Sequence, residues 1–201
     1  MFLFLDVASP IPEFHLINDK KIIDSFKILE NNTVKLSDKI IPTYLEINNT
    51  HNLSKNLTNL IITIGPGSYT ALRVGASFIA GLSQSISLPV SLISIQTIYN
   101  YIKCTDKEIG IYFESSNNQK FFSYKKRDHF INEKVENENL ILPKFISSVF
   151  YNVKSPKIIS DKITCESFSI KDIVLKMYNI LEYDKNLIIK PIYISNNNIL
   201  N

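Results

Sequence analysis

Apolar and polar positions change period along the first hundred residues, and each change marks a new element. Residues 2–7 open with a short apolar run that closes on Asp6. That pattern predicts a buried strand whose final carboxylate points outward. Pro10 and Pro12 make the turn after it irregular. Residues 14–18 and 21–29 can then pair as antiparallel strands across Asp19-Lys20. From Leu36 to Asn48 the period becomes helical: Leu36, Ile40, Tyr44 and Ile47 share a face, with Ile41 and Leu45 beside them. Ser37 is the expected N-cap, and Pro42 should kink or restart this helix because it lacks the amide donor. Residues 50–58 form a polar connection, and residues 60–64 are a continuous apolar run suited to a strand covered on both faces. A turn at Gly65–Ser68 leads into a long helix from about Tyr69 to Ser87. A strand at 90–93 follows, then a helix through Tyr101 capped by Ser94. The order strand, hairpin, helix, strand, helix, strand, helix describes a mixed α/β lobe.

The second half is patterned more weakly. Strands are expected at 108–113 and 120–126, joined by the polar loop 115–118, and residues 130–139 read as a surface loop. Helix, strand and helix are expected at 142–151, 158–160 and 170–181. An extended tail at 187–194 around Pro191 precedes a frayed end at 196–201. No internal repeat or low-complexity domain is visible.

Composition narrows the function classes. Of 201 residues, 45% are hydrophobic and 20% charged, which is a globular balance. The net charge is only +3, and just two of the 22 cationic residues are arginine, Arg73 and Arg127. The lysines are dispersed, so direct nucleic-acid binding is not expected; the densest cluster, Lys125-Lys126-Arg127, reads as a solvated strand end. The apolar start lacks a basic region and meets Asp6 too soon for a signal peptide, and no run reaches membrane-spanning length. Cys104 and Cys165 lack partners at metal spacing and read as buried free thiols in a reducing compartment. Asn-x-Ser/Thr triplets at Asn31, Asn48, Asn52 and Asn56 are chance products of an Asn-rich chain, and a cytoplasmic location is expected.

Most of the information lies in residues 61–75, which hold Gly65, Gly67 and Gly75, three of the five glycines. A buried strand delivers the chain to a tight turn from which a helix starts at once. Gly65 and Gly67 permit close backbone approach there, and Ser68 or Thr70 can cap the helix. Such a turn can hold an anion; it can equally be only a well-capped connection. It is not a nucleotide-binding P-loop, because the Gly-Lys-Ser/Thr ending is absent and no lysine occurs between Lys55 and Lys103. Along the helix, Ser77, Gly81 and Ser85 form a ridge without bulk beside the apolar stripe Ala71, Gly75, Ile79, Leu82 and Ile86. Small residues let another helix approach closely. That neighbour is either the chain's own core or a partner.

The run Gly65-Pro66-Gly67-Ser68-Tyr69-Thr70-Ala71-Leu72-Arg73-Val74-Gly75, followed by Ala80-Gly81-Leu82, resembles the TsaB (YeaZ) family. That family's pattern is Gly-Pro-Gly-Ser-Phe-Thr-Gly-Leu-Arg-Ile-Gly. Phe4-Leu5-Asp6, Leu36–Pro42, Leu88-Pro89-Val90 with Ile93–Thr97, and Pro191–Ile194 resemble further family segments at matching spacings. The likeness is dense over 60–98 and thin over 100–185. Ala71 stands for a family glycine and Leu36 for a histidine. The second-lobe motifs survive only as Glu114-Ser115-Ser116, Gln119-Lys120-Phe121 and Ser160-Asp161-Lys162.

The resemblance implies an actin-like, sugar-kinase-like α/β fold of two lobes, 1–100 and 101–201, with mixed sheets flanked by helices. It implies a non-catalytic subunit that binds and activates a TsaD-type threonylcarbamoyltransferase in tRNA threonylcarbamoyladenosine modification, together with a TsaE-type ATPase. Contact with tRNA would be indirect. Ile40, Ile41, Tyr44, Leu45, Ser77 and Gly81 are the expected partner surface. The turn Gly65, Pro66, Gly67, Ser68, Tyr69 and Thr70, with Arg73 one helical turn on, would hold the second helix at its angle. Asp6 and Glu114 would mark a vestigial nucleotide cleft, although a strand-end carboxylate capping a loop is the simpler reading of Asp6. No cofactor, catalytic residue or metal is expected, since His15, His51 and His129 lack a second ligand at helical or strand spacing. Two alternatives remain: a self-associating scaffold that dimerises through the small-residue helix, and a small-molecule kinase or peptidase-like enzyme of the same fold.

Overall fold

The computed structural model describes residues 1–29, 34–103, 108–136, 139–158 and 162–194. Expectations at Asn31, at Cys104, over most of the Ser160–Lys162 turn and at the final residues lie outside them. The first sheet contains β1 (Phe2–Asp6), β2 (Glu13–Asn18), β3 (Lys21–Lys27), β4 (Asn59–Gly65) and β5 (Val90–Ser94) in the order β3-β2-β1-β4-β5. The β1, β2 and β3 ladders are antiparallel, and β4 and β5 add in parallel. The second sheet contains β6 (Ile109–Glu114), β7 (Lys120–Lys126), β8 (His129–Val135), β10 (Ser148–Tyr151) and β12 (Thr164–Ser167) in the order β12-β10-β6-β7-β8. It repeats the plan of the first: an antiparallel β6, β7, β8 meander, then β10 and β12 added in parallel. The chain is therefore a structural duplication that its sequence does not display. Short β9 (Asn139–Leu140) and β11 (Lys157–Ile158) pair in parallel apart from it.

The helices are distributed unequally. In the first half α1 (Leu36–His51), the short α2 (Leu53–Asn56) and α3 (Tyr69–Ile86) form the crossovers, and α4 (Ile95–Ile102) follows β5. In the second half the described crossovers contain β9 and β11 instead of helices, and only α5 (Ile170–Met177), after β12, matches α4. Neighbours in β2 show the layering. Phe14 meets Tyr44 of α1 and Phe78 of α3 at 6.5 and 5.7 Å between ring centroids. His15, on the opposite face, lies 5.3 Å from Phe4, and Phe2 on that face packs edge-on against Tyr178 just after α5 at 4.8 Å. The main core runs through the first sheet, α4 and α5 to Ile109, Ile111, Phe113 and Phe121 of the second sheet. A smaller core of Tyr112, Phe122, Tyr124, Leu140, Ile146 and Val149 fills the other face of that sheet.

Several local expectations are corrected. The segment 142–151 is not a helix; a turn leads into β10, and the apolar residues Leu140 and Ile146 serve as a cover for the small core. Residues 129–135 are strand β8 rather than loop, joined to β7 by a tight turn at Arg127, whose φ is 55°. It is an edge strand, with Phe130 packed on the main core, Ile131 and Val135 on the smaller one, and His129, Glu133 and Lys134 exposed. Strand β12 was not anticipated, and its Cys165 is exposed rather than buried, because β12 is the other edge and all four of its residues face solvent. Helix α1 carries Pro42 without interruption and starts after Lys35, since Leu36 is drawn into the core. Ser37 is therefore no cap, and its hydroxyl donates to Asp38 instead, at 2.9 Å. The Ser94 cap is present as a capping box with Thr97.

The two glycines of α3 have opposite surroundings. A Cβ at Gly75 would sit 2.8 Å from Val7 Cγ1, whereas one at Gly81 would meet nothing within 4 Å. The internal neighbour anticipated for the helix thus exists at Gly75 and not at Gly81. Gly81→Ala should stabilise the isolated chain by about 0.5–1 kcal/mol through helix propensity alone, while Gly75→Val should destabilise it by about 1–3 kcal/mol through overpacking. Chemical denaturation of both variants checks the contrast.

His15 yields a second prediction. It is buried between Phe4 and the α5 side, and its pKa is lowered from 6.5 to about 4. Burial is the main cause; Lys171 adds to it, while Asp6 and Asp172 oppose it. Between these values the unfolded chain binds the extra proton, so stability is full above pH 6.5 and falls as pH drops toward 4. The loss is on the order of 3 kcal/mol. Unfolding free energy measured against pH should show this decline, and His15→Gln should flatten it.

Candidate functional site

The end of β1 determines the shape of everything around the glycine motif. Asp6 is buried rather than pointing outward. Its Oδ1 accepts hydrogen bonds from the amides of Ala8 and Ser9 at 3.0 and 3.2 Å and from Thr63 Oγ1 at 3.0 Å; its Oδ2 accepts one from Ser9 Oγ at 2.6 Å. Thr63 Oγ1 in turn accepts from the amides of Val7 and Ala8, at 2.9 and 3.1 Å. A buried carboxylate is tolerated only when its acceptor capacity is filled this way. Asp6 is thus the strand-end carboxylate that caps its own loop.

That loop is the seat of the motif turn. Gly67 lies against Ala8 and Gly75 against Val7. Gly65 has φ +108°, and a side chain there would collide with the Ile192 carbonyl at 2.8 Å. Ile192 also donates its amide to the Ile64 carbonyl at 2.7 Å, so the C-terminal segment is laid over the turn. Farther back, this segment forms a bridge between Asp184 and Val90 on the β5 edge. Ser68 occupies the N-cap position of α3, but its side chain makes no capping bond. It is buried, and its carbonyl starts the helix by accepting from Leu72 at 2.9 Å. Thr70 lies inside the first turn, exposed. Neither residue supplies the side-chain cap that the sequence predicts.

On the outer side of α1 and α3 the expected surface residues divide. Ile40 belongs to the core. Tyr44 is half-buried and packs on Phe78 at 5.4 Å, and burial raises its hydroxyl pKa. Ile41 and Leu45 are 54% and 51% exposed, large values for aliphatic side chains. Ser77 and Gly81 are exposed on α3. At the start of α3, Tyr69, Arg73 and Tyr193 gather at the surface, with Arg73 Nη1 donating to Tyr69 Oη at 3.0 Å.

A concavity of about 310 Å³ lies where the lobes meet. Asp6, Ser9, Glu13 and His15 of the first lobe face Asn152, Ser169 and Lys171 across it. Glu114 is not among its lining residues. The Glu114 main chain is clasped by Asn152, which accepts from its amide and donates to its carbonyl, both at 2.8 Å. Sequence reasoning missed the pairing of Glu13 and His15, which stand two apart on β2 with His15 Nε2 3.5 Å from Glu13 Oε2. Period-two spacing on a strand was the available signal. Among the described residues, no group of three or more His, Cys, Asp or Glu could hold a metal ion, and no helix is long and apolar enough to cross a membrane.

Known proteins place the chain in the same company. No curated protein sequence matches it. The structure of YeaZ from Pseudomonas aeruginosa has the same fold, with a TM-score of 0.59 at 12% identity over 96% of this chain and 99% of that one. An uncharacterised protein with similarity to peptidase YeaZ, also from Pseudomonas aeruginosa, gives 0.60 at 13% identity, over 96% and 98%. With its two mixed sheets flanked by helices, the fold is α/β, actin-like and two-lobed. Residues 32–144, more than half of the chain, match the family described as TsaD, tRNA N6-adenosine threonylcarbamoyltransferase. The chain therefore belongs to the TsaD family, whose description connects it with tRNA modification, and its fold is YeaZ-like.

Proposed function

We propose that this chain is a non-catalytic partner subunit, which binds a TsaD-type threonylcarbamoyltransferase through α1 and α3 and holds it in an active conformation. The observation that carries this reading is the outer face of those helices. Ile41 and Leu45 stand more than half exposed on α1, while on α3 Gly81 leaves open space above it and exposed Ser77 borders a concavity shared with residues 185–189. Exposed apolar side chains next to a low ridge mark a surface built to be covered, and small residues let a helix of the partner approach closely. Ile40 and half-buried Tyr44 support this face from beneath.

The cleft between the lobes supports the non-catalytic part of the reading. It is at the small end of ligand-sized pockets, and the Asp6 carboxylate is occupied by its own loop. In this role the chain works in a cytoplasmic complex with a TsaE-type ATPase, and tRNA is held by the partner. A homodimer through the same face would form only while the partner is absent.

Co-purification with the TsaD-type protein of the same organism tests the reading. The wild type should form a stable complex, and Gly81→Leu, which fills the open position, should lose it. Ile41→Glu should lose it as well, with circular dichroism unchanged for both variants. A complex indifferent to both substitutions would move the interface elsewhere; no complex with the wild type would remove the reading.

A further inference from the structure

Arg73 is out of keeping with its surroundings. It is the only charged residue between Lys55 and Lys103, in a chain whose cations are otherwise almost all lysine. It lies one turn into α3, exposed, with its guanidinium 5.1 Å from the centre of the Tyr69 ring and Nη1 hydrogen-bonded to Tyr69 Oη at 3.0 Å. Tyr193 packs on Tyr69 with ring centroids 4.5 Å apart. The two rings are 54% and 39% exposed. Tyr193 is fixed there because the preceding residue is tied to Ile64. Among the described residues, no carboxylate lies within ion-pairing distance of Arg73. The result is a guanidinium held in place on an aromatic collar, with its charge unmatched by the chain itself. Arginine and tyrosine in such an arrangement are the residue types that dominate binding energy at protein interfaces.

The position of the cluster indicates what it meets. Tyr69, Arg73, Ser77 and Gly81 recur every four residues and so form one inclined ridge on α3, which turns by about 120° around the helix from Tyr69 to Gly81. The cluster is the bulky end of the ridge whose low end is the proposed docking surface. We propose that Tyr69, Arg73 and Tyr193 form a receptor for an aspartate or glutamate side chain of the catalytic partner, so that the C-terminal segment of this chain becomes part of the interface. This rests on the partner-subunit reading above. A planar guanidinium matches a carboxylate through two parallel hydrogen bonds, which lysine cannot reproduce. A nucleic-acid phosphate fits less well, because backbone tracking requires several cations along one path, and α3 carries a single charge.

The test is titration of the TsaD-type partner with the wild type, Arg73→Gln, Arg73→Lys, Tyr193→Ala and Ile41→Glu, at two salt concentrations. Arg73→Gln should weaken binding about tenfold or more and reduce its salt dependence. Arg73→Lys should not restore it fully, and Tyr193→Ala should weaken it in the same direction, with thermal unfolding of Arg73→Gln unchanged. If Arg73→Gln binds like the wild type while Ile41→Glu does not, the receptor is overturned and the partner reading stands. If the wild type itself does not bind, both fall. If Arg73→Gln instead lowers binding of tRNA to the chain alone, the residue is an RNA contact and the carboxylate assignment is wrong.

Discussion

The fold of the first lobe depends on a carboxylate that has been taken out of water. Asp6 ends β1 in the interior, and an ion there is tolerated only where protein donors replace its hydration. The amides of Ala8 and Ser9 and the hydroxyls of Ser9 and Thr63 supply them. Through Thr63 the same knot joins β1 to β4, and it sets Val7 and Ala8 under the glycine motif. Gly67 and Gly75 are small because these two residues are there. The motif therefore serves to seat α3 at a fixed height and angle on the sheet, and the C-terminal segment closes it from above at Gly65.

That seating produces an asymmetric molecule. Two sheets of the same topology share a core through α4 and α5. Only the first carries helices in its described crossovers, and their outer side displays Ile41, Leu45 and the open position at Gly81. The second sheet closes its far face with short segments around Leu140 and Ile146. Family membership links this shape to the modification of tRNA, and the helical face is where a partner would find apolar contact. On the proposed partner-subunit reading, chemistry would fall to that partner and this chain would contribute shape.

The first lobe was legible in the sequence because its signals are dense. A stretch with a single charge, three glycines within fifteen residues and a Ser94 cap left few readings for β4, α3, β5 and α4. The second lobe was not, for physical reasons that differ by element. Strand β8 is an edge in which Asn132, Glu133 and Lys134 follow Phe130 and Ile131, so the apolar residues show no alternating pattern. Residues 142–151 contain enough apolar side chains for a helix, yet they cover a small core as a turn and a strand. The duplication of the sheets resides in hydrogen-bond topology, which demands no repeated side chains. At the site, burial divided residues that helical spacing grouped: Ile40 turned inward while Ile41 and Leu45 turned out. Asp6 was recognised as a loop cap, but its partner Thr63 lies 57 residues away and no local pattern could supply it.

Amide hydrogen exchange of this chain, alone and mixed with the TsaD-type protein, tests the central claim most directly because it reports on every helix at once. Slowed exchange is expected to concentrate in α1, in α3 and in the segment around Tyr193, with the residues lining the cleft between the lobes unchanged. Protection confined to that cleft, or none anywhere despite saturating partner, would contradict it.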